Sequence, residues 1–187
     1  PTAACTLPFR HPSKILDAGY LRDGSALFTA SQDGQLFIWK VANGDRQWAN
    51  KLPGGISEVE AYGDGVVVLS EDRRTLTVVD ETAQRPLTQG TAEAVQVFAS
   101  HEREIAWMTT ENKLYIMSEP GAAVRSVEMP SETTVPTALT WLPGEDSMIA
   151  LGWESGHVAV YAAQESEMPR WVVQAHRASV KHLEPHA

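Results

Sequence analysis

Apolar and polar positions alternate along this chain in short runs, and turn residues separate the runs at regular intervals. The clearest stretch is residues 25–52, SALFTASQDGQLFIWKVANGDRQWANKL. Ala26–Ser31 is apolar and β-favouring, and Gln32-Asp33-Gly34 forms a tight turn whose glycine accepts a positive φ. Residues 35–41 alternate, with Leu36, Ile38 and Lys40 on one face and Phe37, Trp39 and Val41 on the other. Asn43-Gly44 predicts a second turn and residues 46–52 a third strand. Two such runs joined by an Asp-Gly turn are a strong hairpin signal.

The plan recurs at residues 65–79, 104–117 and 147–161: an apolar strand, a polar turn, then an alternating strand ending in a large residue. The aligned ends Trp39, Val79, Met117 and Tyr161 lie 40, 38 and 44 residues apart. A period of about 40 to 45 residues with several strands per repeat is the β-propeller pattern. The expected fold is therefore all-β, a β-propeller or partial propeller of about four four-stranded antiparallel blades. The blades fall at 15–52, 57–90, 94–129 and 136–175. Residues 1–13 read as a lead-in, with 3–7 a candidate outer strand of an earlier blade. Residues 179–187 read as the start of a further blade, 179–183 being its first strand. Propellers close with four to eight blades, so four blades and a stub predict part of a larger propeller, completed by further sequence or by another chain, with closure as four or five blades the alternative.

Composition narrows the classes. Of 187 residues, 43% are hydrophobic and 21% charged, an ordinary globular balance. A net charge of −9, with no basic run beyond Arg73-Arg74, argues against a nucleic-acid surface. The longest apolar run, about 158–163, is too short to span a membrane. Cys5 is the only cysteine, so no internal disulfide or cysteine-based zinc site can form, and no Asn lies in a glycosylation sequon. These features fit a reducing compartment, cytoplasmic or nuclear, with a lumenal location as the alternative.

Blades one and four resemble WD-repeat proteins. Asp23-Gly24, residues 27–31, Asp33-Gly34 and Leu36-Phe37-Ile38-Trp39 match the second half of such a repeat. Ala175-His176 followed by Val180 and Leu183 resembles the Gly-His opening of the next. Lys40 replaces the Asp of the Trp-Asp pair, and blades two and three lack an opening His. The resemblance implies a non-catalytic protein-interaction scaffold in a multi-protein complex, with the network pairing the opening His and a turn Asp mostly absent. A competing resemblance is to quinoprotein-like propellers of lumenal or periplasmic assembly machines. It rests on the Gly-x-x-x-Trp spacing of Gly44 to Trp48 and on Trp171, tryptophans that in that group dock neighbouring blades.

Candidate chemistry is sparse. His176, His182 and His186 cluster in sequence, but Pro185 argues against a helical His-x-x-x-His. Strand positions four apart are about 13 Å apart, too far for one ion. Glu71-Asp72, Glu111, Glu154 and Glu165-Ser166-Glu167 fall in separate turns without a calcium-loop spacing. Cys5 has no His close in sequence to activate it. No catalytic residue, metal ligand or cofactor site is assigned. Trp39, Trp107 and Trp141 are expected in the core, and Trp48 and Trp171 as blade-docking residues. Trp153, beside the Glu154-Ser155-Gly156 turn, is expected on the rim as a binding anchor.

In WD-repeat proteins the second-to-third-strand turns share a face with the inter-blade loops. Carried onto this chain, that face collects Asp33, Arg73, Arg74, Asn112, Trp153, Glu154 and Arg177, with loops at 53–55, Gln89-Gly90 and Ser131-Glu132. Its mixed-to-acidic character suits a protein partner with basic segments. The alternative, a ligand-binding or enzymatic propeller, would use the innermost strands, where Asp17, Glu58, Glu60 and Gln96 fall.

Overall fold

The computed structural model describes residues 11–21, 23–88, 93–118, 121–129, 134–142, 147–164 and 168–184. Its sixteen strands form four antiparallel four-stranded sheets with no helix among the described residues. The first sheet holds β1 (Ile15–Tyr20), β2 (Ala26–Ser31), β3 (Gln35–Lys40) and β4 (Arg46–Lys51). The second holds β5 (Ile56–Tyr62), β6 (Gly65–Ser70), β7 (Leu76–Val79) and β8 (Gln84–Pro86). The third holds β9 (Val95–His101), β10 (Glu104–Thr109), β11 (Lys113–Met117) and β12 (Arg125–Glu128). The fourth holds β13 (Pro136–Leu142), β14 (Met148–Trp153), β15 (His157–Ala162) and β16 (Trp171–Gln174). The chain is thus all-β, with four blade-like sheets of the propeller type.

Each sheet is a meander, because strands consecutive in sequence pair with one another. The first strands of successive sheets, β1, β5, β9 and β13, lie next to one another. Alternation then buries both faces of each inner sheet against its neighbours, and one face of each terminal sheet. Phe28, Leu36, Ile38, Ile56 and Val68 fill the first junction. Val67, Leu76, Phe98, Ile105 and Trp107 fill the second, and Met108, Leu114, Trp141, Leu151, Trp153 and Tyr161 the third. Burial of this kind contributes about 1.5–3 kcal/mol per large apolar side chain, so the junctions hold the fold together.

The repeat is sharper in backbone geometry than in residue identity. Each first strand has a register shift after its opening residue, so that Ile15, Ile56, Val95 and Pro136 pair with Ser31, Ser70, Thr109 and Trp153. From each of those partners, the residue three further on takes a left-handed backbone: Gly34 (φ 88), Arg73 (φ 59), Asn112 (φ 58) and Gly156 (φ 85). Its N–H donates back across the turn to Ser31, Ser70, Thr109 and Trp153 at 2.9, 2.9, 3.1 and 3.0 Å. Its carbonyl in turn accepts from the chain leaving the sheet, from Leu52, Val95, Met129 and His176 respectively. At Gly34 and Gly156 a Cβ would also overlap the carbonyl oxygens of Leu52 and His176, so close approach as well as φ demands glycine there.

Two expectations change. Residues 179–183, expected as a strand, pair with no strand among the described residues. The segment instead lies on the fourth sheet: Val180 N–H donates to Trp153, Thr137 Oγ1–H donates to the Val180 carbonyl, and Val180 packs with Ala138 and Val158. The candidate strand at 3–7, with Cys5, lies outside the described residues.

Candidate functional site

The four β2–β3-type turns share one rim, but the structure uses several of their side chains internally. Trp153 is the clearest correction. It is the last residue of β14 rather than part of the turn, and with 1% of its surface exposed it is core, not a rim anchor. Its position corresponds to Ser31, Ser70 and Thr109, of which Ser31 and Thr109 are buried. Arg73 is a second correction. Its guanidinium donates from Nε to the Val95 carbonyl (2.9 Å), from Nη2 to the Gln96 carbonyl (2.6 Å) and from Nη1 to Ser57 Oγ (3.1 Å) and Glu58 (2.6 Å). It fastens the second sheet to the third.

The turn acids are partly committed as well. Ser31 Oγ–H donates to Asp33 at 2.7 Å and Ser70 Oγ–H to Asp72 at 2.6 Å, which lowers both carboxyl pKa values. Asn112 is half-buried and anchors the chain entering 129. The exposed side chains on this rim include Glu71, Arg74, Glu111, Glu154 and Arg177. Gln89, Gly90, Ser131 and Glu132 lie outside the described residues.

Behind the first of these turns runs a five-residue relay. The Trp39 indole N–H donates to Thr29 Oγ1 (2.8 Å), which lies 2.7 Å from His11 Nε2. His11 Nδ1 lies 2.8 Å from Ser31 Oγ, which donates to Asp33. An indole can only donate and a carboxylate only accept. Ser31 spends its hydroxyl proton on Asp33, so Nδ1–H donates to Ser31, and Thr29, accepting from Trp39, can donate to Nε2 of a neutral ring. The His11 pKa is lowered, chiefly by burial, with the Asp33 charge opposing. The imidazole also stacks on Phe37, centroids 4.3 Å apart. Sequence reasoning placed His11 in the lead-in and assigned an opening His only at position 176. The missed signal is spacing: His11 precedes Ile15 by four residues, as His176 precedes Val180.

The inner-strand acids are similarly tied into the frame. Glu58 pairs with Arg73. Glu60 faces the third sheet, where Ser100 N–H donates to Oε2 at 2.5 Å. Ser100 Oγ lies 2.9 Å from the same oxygen and 2.6 Å from the Ala61 carbonyl. Burial, with smaller contributions from Glu58 and Asp17, raises the Glu60 pKa to about 7. Once protonated, its carboxyl can donate to Ser100 Oγ while Oγ–H donates to Ala61. A cavity of about 530 Å³ opens beside Glu58 and Glu60, bounded across from them by β13 and by Lys181 and His182.

The tryptophans divide. Trp107 and Trp141 are core, and Trp141 Nε1–H donates to Ala99 across the third junction at 3.1 Å. Trp39 is half-buried in the relay, on the face turned away from the second sheet. Trp48 packs on the first junction, whereas Trp171 is 50% exposed and docks no described sheet. No group of three His, Cys, Asp or Glu residues is placed to hold a metal among the described residues. No family model matches the chain.

Proposed function

We propose that this chain is a non-catalytic protein-interaction scaffold, a WD-repeat-type propeller unit within a larger assembly. The observation that carries the reading is the rim. Four equivalent turns are each pinned by the same pair of backbone hydrogen bonds, and on that rigid base they present Glu71, Arg74, Glu111 and Glu154 to solvent, with Arg177 on the segment after β16. Charged side chains held by fixed backbone suit recognition of a partner carrying complementary, partly basic segments. The relay from Trp39 through His11 to Asp33 supports the WD-type reading, since an opening His joined to a turn Asp is what that resemblance implies.

Trp48 favours the quinoprotein-like alternative, because it sits on a blade junction as that resemblance expects. Trp171 weighs against it. Photo-crosslinking side chains at positions 74 and 154, with one at Ala49 on β4 as control, test the scaffold reading in cells. Discrete protein adducts from 74 and 154 but not from 49 are expected. Equal adducts from all three positions, or none, overturn the rim as the recognition surface.

A further inference from the structure

At the opposite rim, a cavity of about 340 Å³ opens between the first and second sheets. Trp48 and Tyr62 line its apolar side, and Tyr62 is fixed by donating its hydroxyl to the Arg103 carbonyl at 2.8 Å. Around this aromatic wall stand Asp23, Asp64, Asp80, Glu81, Arg85 and Arg103.

Their commitments differ. Asp80 is saturated: it accepts from Thr82 N–H, Thr82 Oγ1–H and Ala83 N–H, and pairs with Arg85. Asp23 caps its own turn through Ser25. Asp64 and Glu81 have neither a hydrogen-bond nor an ion-pair partner among the described residues, and both are exposed on turns. With Asp80 and Arg85 cancelling, three carboxylates face one guanidinium, that of Arg103, so the lining is net negative beside an indole. An aromatic ring next to uncommitted carboxylates selects a flat, weakly hydrated cation over a compact, strongly hydrated one.

We propose that this cavity receives an arginine side chain of a partner protein, held between Trp48 and the carboxylates of Asp64 and Glu81. The site lies on the other rim from the one invoked above and rests on the scaffold reading only in supposing a protein partner. Its test needs no partner, so either reading can fail alone.

The probe is the peptide acetyl-Gly-Arg-Gly-amide, compared with its citrulline analogue, which keeps the shape and loses the charge. Binding is followed through the Trp48 indole N–H resonance of the intact chain. The arginine peptide is expected to shift that resonance saturably, with the citrulline peptide at least about tenfold weaker. D64N/E81Q is expected to weaken the arginine peptide at least about fivefold, while E111Q/E154Q on the other rim leaves it unchanged. Thermal unfolding verifies that both double variants remain folded. Equal binding of the two peptides, insensitivity to D64N/E81Q, or an unmoved Trp48 resonance overturns the proposal.

Discussion

The first and fourth sheets solve one structural position in opposite ways. At the end of β2, Ser31 is fully buried yet wholly polar in its contacts, joined to His11, Asp33 and the Gln35 carbonyl. At the end of β14 the same position holds Trp153, buried among Leu114, Leu151 and Tyr161, its indole N–H without a hydrogen-bond partner among the described residues. Ser70, donating to Asp72, and Thr109, beside Glu93, follow the polar solution. The turn above all four is nonetheless the same. What recurs here is the backbone arrangement, with its left-handed residue and crossover carbonyl, while the slot beneath holds side chains as different as Ser31 and Trp153.

The largest break in this comparison should come from Trp153→Ala, which leaves a cavity in the third junction. A loss of about 3–5 kcal/mol is expected by denaturant unfolding. Trp153→Phe should lose far less, because the indole N–H contributes no bond. A loss for Trp153→Ala no greater than that for a surface residue would refute the packing role.

Next is Glu60, the buried acid between the second and third sheets. Its folded pKa of about 7 lies above the ordinary 4.5, so the native state binds a proton more tightly than the unfolded chain. Its contribution to stability is complete below pH 4.5 and is lost as pH rises through about 7. Glu60→Gln should flatten that decline and stabilise the protein at pH 8 by about 1–3 kcal/mol. Melting temperatures measured from pH 5 to 8 decide it; an unchanged slope would sink the assignment.

His11 carries the opposite sign. Its folded pKa lies below 6.5, so the unfolded chain takes up the proton first. Its contribution is present above pH 6.5 and is lost as pH falls from there toward the lower folded value. His11→Ala should cost about 1–2 kcal/mol at pH 7.5 through loss of the stacked, hydrogen-bonded ring. The penalty should shrink in acid, as a urea titration at pH 7.5 and 5.5 would show. The smallest effect is expected from Ser70→Ala, about 0.5–1.5 kcal/mol. Calorimetry should find it milder than Ser31→Ala, which interrupts the longer relay.

The first and last sheets differ from the inner pair in another respect. Tyr20, Ile15, Leu16 and Val41 on the first, and Met168, Trp171, Val172 and Val173 in and just before the last strand, are exposed. Among the described residues, the second and third sheets leave only Val124 so exposed among their large apolar side chains. Each inner sheet has neighbours on both faces, whereas each terminal sheet has one.

The strands and their turns were legible because their causes are local. Period-two alternation, Asp-Gly at 33–34 and Ser-Gly at 155–156 act within a few residues, and they set the sixteen strands and the blade period. The candidate rim was legible only in outline. Trp153 looked like a turn residue because it follows Gly152 and precedes Glu154, and one position in a strand decides which way a side chain points. Arg73 looked like a free cation because its acceptors, at 58, 95 and 96, lie on other strands.

By itself, then, the sequence determined an all-β repeat of four-stranded units, because alternation and turn sterics are properties of neighbouring residues. Only the tertiary structure decided which polar side chains remain available. His11 meets partners 18 and 20 residues away, and Glu60 meets Ser100 across a sheet junction. Availability depends on what the register and the adjoining sheet bring within hydrogen-bond reach, and no local pattern encodes that.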